Sequence, residues 1–331
     1  MAHQLLGLLL LQAMALPPTT MRSDHPIYAA TQDFLATLTP AQVGKAKLPL
    51  TKESAAKWSN LPGGVQIRNG VQFSDLNEPQ LAAALKLART VLGSKGFERF
   101  QSIRAADGVL EKIRPGSYSS NQYIVAILGE PSRTEPWMIQ LGGHHIAANI
   151  TIKGETGWSS PYFLGLEPES FESDGKTITP IANVRAAITG LAKSLTPDQV
   201  TKAILKDSFG DVVVGPGNDG KFPARQGVPV TELSPASQAW VKKAIIAYTG
   251  DSPFADAYQK RYFAELGETR VAISGSTAQS KPGDYVRIDG PSVWIEFICQ
   301  PGANFPDKVH LHSVWRDRKA DYGGFFTASR D

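Results

Sequence analysis

The sequence predicts an α+β fold, with a mixed or antiparallel sheet and helices packed around it. Two observations lead there. Helix-rich and strand-rich stretches fall in separate blocks instead of alternating regularly, which disfavours a doubly wound parallel sheet. The strand-like runs are also short, apolar or alternating, and bounded by Gly, Pro or Asn.

Taken in order, the first helix is expected over 26–38. Thr39-Pro40-Ala41-Gln42 then opens a second helix, with Thr as N-cap, Pro at the first helical position and Gln closing a capping box. A further helix over 79–92 follows Asn77 as cap. Strands are expected at Tyr123–Leu128, Trp137–Leu141 and Ile146–Ile152. Helix 183–193 comes next, and Thr196-Pro197-Asp198-Gln199 repeats the start signal. Ser234 and Ser252 cap helices over 236–249 and 253–265. The chain closes with strands at Val293–Cys299 and Val309–Trp315. The likeness of Leu38-Thr39-Pro40 to Leu195-Thr196-Pro197 does not extend into a regular period, which argues against a solenoid.

The chain has 331 residues, 34 Lys+Arg against 31 Asp+Glu, and a net charge of +3, too balanced for a basic nucleic-acid-binding domain. Leu5–Leu11 is a short apolar run, followed by Ala13-Met14-Ala15 as a cleavage pattern. The resulting division is a signal peptide over 1–15, a linker over 16–25 and one α+β domain over 26–331. Export to a periplasmic or extracellular location follows, although the amino-terminal flank carries no Lys or Arg. No stretch is long and apolar enough for a stable membrane span. Cys299 is the single cysteine. It cannot form an intramolecular disulfide, and its place in an apolar strand reads as a buried, inert thiol.

The sharpest chemical signal is two histidine pairs, His144-His145 after two glycines and His310-Leu311-His312. In a strand, residues i and i+2 share a face, so His310 and His312 present two imidazoles side by side while Val309, Leu311 and Trp315 pack inward. The two members of His144-His145 would face opposite ways in an ideal strand, so one of them is expected as a third ligand. If strands 293–299 and 309–315 pair with their apolar faces together, parity puts Glu296 on the histidine face, nearly opposite His310 or His312. Arg316 shares that face by alternation and could hold a substrate carboxylate or an oxyanion. Asp317 or Asp321 could orient a ligand imidazole. Such a set suits a transition metal, zinc or copper first and iron as a further option.

The favoured function is an exported metal-dependent enzyme, with hydrolysis narrowly ahead. A water on the cation would be the nucleophile and Glu296 the general base or fourth ligand, and the substrate would be a small molecule or polymer end of unspecified identity. A copper or iron oxidoreductase at the same residues is the close alternative. A noncatalytic protein binding a metal or small ligand is the third reading, marked by a closed coordination sphere with no adjoining pocket.

Gly215-Pro216-Gly217-Asn218-Asp219-Gly220 formally matches a dinucleotide loop, but the Phe222-Pro223 and Gly227-Val228-Pro229 that follow are loop grammar, not a helix start. Asn149-Ile150-Thr151 is a formal glycosylation sequon in a strand, where a sugar does not fit.

An ordered set of motifs resembles the uncharacterised domain-of-unknown-function family 3500. These are Glu130-Pro131-Ser132, Leu141-Gly142-Gly143-His144-His145-Ile146-Ala147-Ala148-Asn149, Ser160-Pro161-Tyr162-Phe163-Leu164-Gly165-Leu166-Glu167-Pro168, Tyr285–Pro291, Ile295-Glu296-Phe297 and His310–Asp317, ending at Asp321-Tyr322-Gly323. The resemblance runs from about residue 26 to 325. It implies export and singles out His144, His145, Asn149, Glu167, Glu296, His310, His312, Arg316, Asp317 and Asp321, without implying an activity. Ala148 and Leu166 depart from the family's commoner pattern, in which a larger and a smaller residue respectively are usual.

Overall fold

The computed structural model describes residues 25–63 and 68–326, so the expected signal peptide over 1–15 and nearly all of the linker over 16–25 lie outside the described residues. The helices are α1 (Pro26–Thr37), α2 (Pro40–Ala46), α3 (Lys52–Ala56), α4 (Glu78–Ile113), α5 (Ala182–Lys193), α6 (Pro197–Ala203), α7 (Pro235–Thr249) and α8 (Ala255–Ala264). The strands are β1 (Lys47–Leu48), β2 (Val71–Gln72), β3 (Ile124–Leu128), β4 (Trp137–Gly143), β5 (Ile146–Lys153), β6 (Thr156–Trp158), β7 (Tyr162–Leu166), β8 (Phe171–Ser173), β9 (Lys176–Ile178), β10 (Val228–Pro229), β11 (Arg270–Ser274), β12 (Tyr285–Asp289), β13 (Val293–Pro301) and β14 (Val309–Asp317).

The expected α+β class holds. One 12-stranded sheet runs β1-β3-β4-β5-β7-β14-β13-β12-β11-β10, with β2 on β3 and β6 on β5, while β8 and β9 form a separate hairpin. Every expected strand is present. The helix expected to stop at 92 instead continues to Ile113 as α4, with a break at Gly93, whose φ of 64° and ψ of −179° only glycine tolerates easily. Strands β11 and β12 were not expected. Their polar members Arg287 and Asp289 obscure the alternation although both side chains are buried.

Alternation divides the sheet residues between two cores. Val125, Ile139, Ile150, Leu164, Ile273, Ile288, Phe297, Leu311 and Trp315 face the larger one, built with helices α1, α4, α5, α7 and α8. Ala126, Met138, Ala147, Phe163, Ala272, Tyr285, Ile298 and Val314 face a smaller one, covered by Ala55 and Trp58 and by Leu205, Val212 and Tyr322. These covering segments are mostly irregular, so the second face must satisfy buried polar groups with side chains. Gln140 Nε2 donates to Asn149 Oδ1 at 3.0 Å and to Ala55 O at 2.8 Å, and Asn149 Nδ2 donates to Pro161 O at 2.9 Å.

The sheet order reads alike from both edges because the two halves of the chain repeat the same construction. Thr39 and Thr196 close capping boxes with Gln42 and Gln199 at the starts of α2 and α6, a constant offset of 157 residues. At that same offset Lys45 pairs with Asp75 and Lys202 with Glu232. Lys47–Leu48 runs parallel to Ile127–Leu128, as Ile204 does to Ile273. Val71 faces Val125 antiparallel, as Val228 faces Val271. The resemblance noticed at Leu38 and Leu195 is thus the first sign of a two-fold repeat of long spacing, not of a solenoid. Strands β7 and β14, one from each half, pair antiparallel at the centre.

The repeat includes two strained glycines. Gly70 (φ 100°) and Gly227 (φ 102°) would place a Cβ 2.4 Å and 2.2 Å from the carbonyl oxygens of Val125 and Val271. We expect Gly70→Ala and Gly227→Ala each to cost about 2–4 kcal/mol in chemical denaturation, against about 1 kcal/mol for Gly154→Ala. Gly154 also has positive φ, but its nearest neighbour would be 3.8 Å away.

Candidate metal centre

The β7–β14 pairing places the two histidine doublets together although they are 165 residues apart in the chain. His310 and His312 lie at the start of β14, with His312 opposite Gly165 of β7. His144 and His145 form the two-residue turn between β4 and β5, with Gly143 paired to Ile146. They are turn residues, not strand residues, and this decides which of them joins the later pair. His145 adopts φ 64°, a left-handed conformation that costs a non-glycine residue about 1 kcal/mol or more. Its backbone is held by His145 N donating to Asn60 O at 3.1 Å and Gly165 N donating to His145 O at 2.6 Å.

In that position the His145 Nε2 lies 2.7 Å from His310 Nε2. The His145 and His312 rings are 5.6 Å apart between centroids, and those of His310 and His312 are 4.5 Å apart. One ring nitrogen from each of the three falls within 4.8 Å of the others. Gly165 makes the convergence possible, because a Cβ there would sit 2.6 Å from His145 Cδ2 and 3.1 Å from His312 Cδ2. His145 and His312 are buried and His310 is half-buried. Burial first, and then the neighbouring histidines, hold His145 far below the ordinary imidazole range and push His310 down to about 3. Both are therefore neutral at pH 7, the state in which an imidazole carries a ligand lone pair. Two Nε2 atoms at 2.7 Å either share one proton or turn their lone pairs on a common cation.

Carboxylates stand behind two of the rings. His312 Nδ1 lies 2.9 Å from Asp211 Oδ1, an arrangement that favours the proton on Nδ1 and leaves Nε2 as the lone-pair atom. Burial raises the Asp211 carboxyl, but the hydrogen bond and charge of His312 outweigh it and hold the group below its ordinary value. His144 is turned the other way. Its Nδ1 lies 2.6 Å from Asp107 Oδ1, and Tyr123 OH donates to Asp107 Oδ2 at 2.8 Å. The His144 ring stacks on His145 at 3.5 Å between centroids. His144 with Asp107 thus buttresses His145, and Asp107, His144 and His145 form a second, overlapping group with convergent ligand atoms.

The other expected site residues lie elsewhere. Parity puts Glu296 on the histidine face, but it pairs with Val314, while Ile298 stands opposite His312 and Gln300 opposite His310. The carboxylate of Glu296 is spoken for: it accepts from Val213 N (2.5 Å), Val214 N (2.8 Å), Trp294 Nε1 (2.7 Å) and Tyr285 OH (2.9 Å). A ligand or base role at the histidines is therefore corrected to a structural one, in which Glu296 ties the 205–214 segment to the sheet. Arg316 is also on that face and fully buried. It is engaged by Asp321 (2.7 Å), Asp219 (2.5 Å) and Val214 O (3.1 Å), so it does not hold a substrate at the histidines. Asp317 accepts from Arg261, Tyr262 and the backbone N–H groups of Lys319 and Ala320, and Asp321 accepts from Arg316 and Asp317 N. Neither touches an imidazole.

Asn149 is bonded to Gln140 and Pro161 and fully buried, which also removes the sequon as a sugar acceptor in the folded chain. Glu167 accepts from Asn304 N (2.8 Å), Asn304 Nδ2 (2.8 Å) and Phe305 N (3.2 Å), which fixes the loop that leads into β14. The contributors that sequence reasoning missed are Asp107, Asp211, Asn60 and Gly165. No local pattern marks any of them. Cys299 is buried, and burial pushes its thiol up to about 11, in keeping with an inert side chain. The 215–220 stretch runs into further loop, not a helix, as expected.

Two measurements separate these roles. Glu296→Gln should lower folding stability by about 2–4 kcal/mol, because a neutral amide loses the charge that four donors share. Gly165→Ala should cost about 1–3 kcal/mol in denaturation and move the ring resonances of His145 and His312 in NMR spectra while most of the sheet is unchanged.

Searches of curated proteins and of solved structures return no match. A family model does match, over residues 21–324, and its span takes in the histidine turn, β7, β13 and β14. The chain therefore belongs to the family described as protein of unknown function DUF3500.

Proposed function

We propose that His145, His310 and His312 bind one transition-metal ion, zinc or copper first and iron as a further option, and that the protein is a metal-dependent enzyme of the hydrolytic class. The observation that carries this is the convergence of three ring nitrogens within 4.8 Å, with Asp211 behind His312. Three imidazole ligands would leave a fourth position in a tetrahedral sphere, the arrangement of catalytic rather than purely structural zinc. When bound, the ion would supply Lewis-acid chemistry. The chain's own residues have narrower tasks. Asp211 fixes the His312 ring, Gly165 leaves room for two rings, and the His144–Asp107 pair holds His145 from behind.

An oxidoreductase reading rests on the donor set, which is all nitrogen and as acceptable to copper as to zinc. A noncatalytic binding role draws support from burial, since only His310 of the three is more than slightly accessible. A concavity of about 620 Å³ beside Arg99 and Trp240 is on the helical side of the sheet and not at the histidines.

Elemental analysis of the purified full chain should find about one equivalent of metal, and the His310→Ala/His312→Ala variant should lose it. Asp211→Asn should retain the ion with about 10–100-fold weaker affinity. A visible absorption band with copper would move the assignment to redox chemistry, and colourless zinc would keep it hydrolytic. Less than a tenth of an equivalent in every preparation, with no uptake of added zinc or copper, would overturn the metal reading altogether.

A further inference from the structure

The second face of the sheet carries another charged recess, at the opposite end of β14. The repeat relates it to the histidine site. Gly165 N donates to His145 O at 2.6 Å, and Arg318 N donates to Ser292 O at 2.8 Å, so Arg318 occupies in the second half the place that Gly165 holds in the first. Arg316 lies four residues beyond His312, about 13 Å along the strand. A cavity of about 320 Å³ opens there, lined by Lys52, Asp219, Phe222, Arg316, Arg318 and Tyr322 among others.

Its acids are already matched. Asp219 Oδ1 takes Arg316 and Tyr322 OH, while Asp317 and Asp321 are saturated as described. Arg316 is matched by the same acids, but Arg318 is only partly matched. Arg318 donates to Asp289 Oδ1 at 2.6 Å, but its buried Nε has no acceptor. Arg287 is fully buried, bonded to Gln226 and Tyr285 and within reach of the Asp289 charge, and its Nε also lacks an acceptor. Lys52 is exposed at the rim, with its chain neighbour Glu53 as its opposite charge. Asp289 Oδ2 is likewise buried without a donor. A buried guanidinium with an unfilled donor is costly, and an incoming anion relieves that cost.

Aromatic rings complete the recess. The guanidinium carbons of Arg287 and Arg318 lie 5.1 Å and 4.9 Å from the Trp294 ring centroid, and that of Arg318 lies 4.6 Å from the Phe222 ring centroid. Phe326 forms part of the wall.

The geometry points to this recess as a binding site for a small organic anion, a carboxylate or phosphate ester carrying a flat apolar body, with Arg318 and Lys52 taking the charge and Phe222 and Phe326 the body. It lies too far from the histidines for one small ligand to reach both, so it is a second site that does not depend on the metal reading.

The test titrates benzoate and phenyl phosphate into the full chain, followed by calorimetry and by intrinsic tryptophan fluorescence. At least one probe should bind saturably. Binding should weaken about tenfold in Lys52→Ala, an exposed position, and in Phe222→Ala, a half-buried loop position, and more in Arg318→Gln. The His310→Ala/His312→Ala variant should bind as the native chain does. Competition by inorganic phosphate identifies a phosphate-type ligand, and binding of benzoate without such competition identifies a carboxylate. Absence of saturable binding by either probe up to about 10 mM, or affinity unchanged in both Lys52→Ala and Phe222→Ala, would overturn the proposal.

Discussion

The structure depends on the antiparallel pairing of β7 with β14. Five rungs, from Leu311 opposite Leu166 to Trp315 opposite Tyr162, join one half of the chain to the other and turn two smaller sheets into one. Nothing local specifies this contact. It is stabilised because Leu164, Leu166, Leu311 and Trp315 face the same helical core and would otherwise leave a long apolar edge exposed. The same rungs bring Gly165 beside His312, and through Gly165 the turn that carries His145. The histidine site is therefore a product of the joint between the halves, and neither half alone contains it.

The two faces of the sheet divide the work. The helical face is apolar almost throughout. The other is roofed by irregular chain, whose backbone N–H and C=O groups need partners that helices would have supplied internally. Gln140 and Asn149 meet this need in the first half, and Arg287 and Glu296 stand opposite each other at the corresponding rung in the second. Burial raises the Glu296 carboxyl, yet four donors converge on it. That pattern is a brace for the roof, and it explains why a carboxylate on the histidine face plays no part at the histidines.

Much of this organisation was legible in the sequence. The capping boxes at Thr39 and Thr196, the alternation in β13 and β14, and the shared face of His310, His312, Glu296 and Arg316 follow from local rules that the structure obeys. Register does not follow from such rules. A loop of several residues between β13 and β14 permits more than one pairing, and a shift of two preserves parity while moving Glu296 from the histidines to Val314. His144-His145 falls in the gap left between two expected strands, but the conformation of the turn was hidden, because a histidine at positive φ defies the usual preference for glycine or asparagine. Asp107 and Asp211 come from a long helix and a loop, and only tertiary packing selects them.

The strain at His145 bears on what the site is for. A glycine in that turn would relieve the backbone and keep the hairpin, so the imidazole is retained at a cost that its own contacts must offset. A single neutral hydrogen bond to His310 returns about 1 kcal/mol, roughly what the backbone loses. The remaining features, an Asp behind His312, an Asp behind His144 and a glycine whose missing side chain admits two rings, add nothing to that bond. They do fix the direction of each ring. In the repeated half Ser292 replaces His145 in the turn and Arg318 replaces Gly165, so no pair of imidazoles is oriented there. The two otherwise matching frameworks thus diverge where ring direction matters, and that divergence is the support the repeat lends to the proposed metal site.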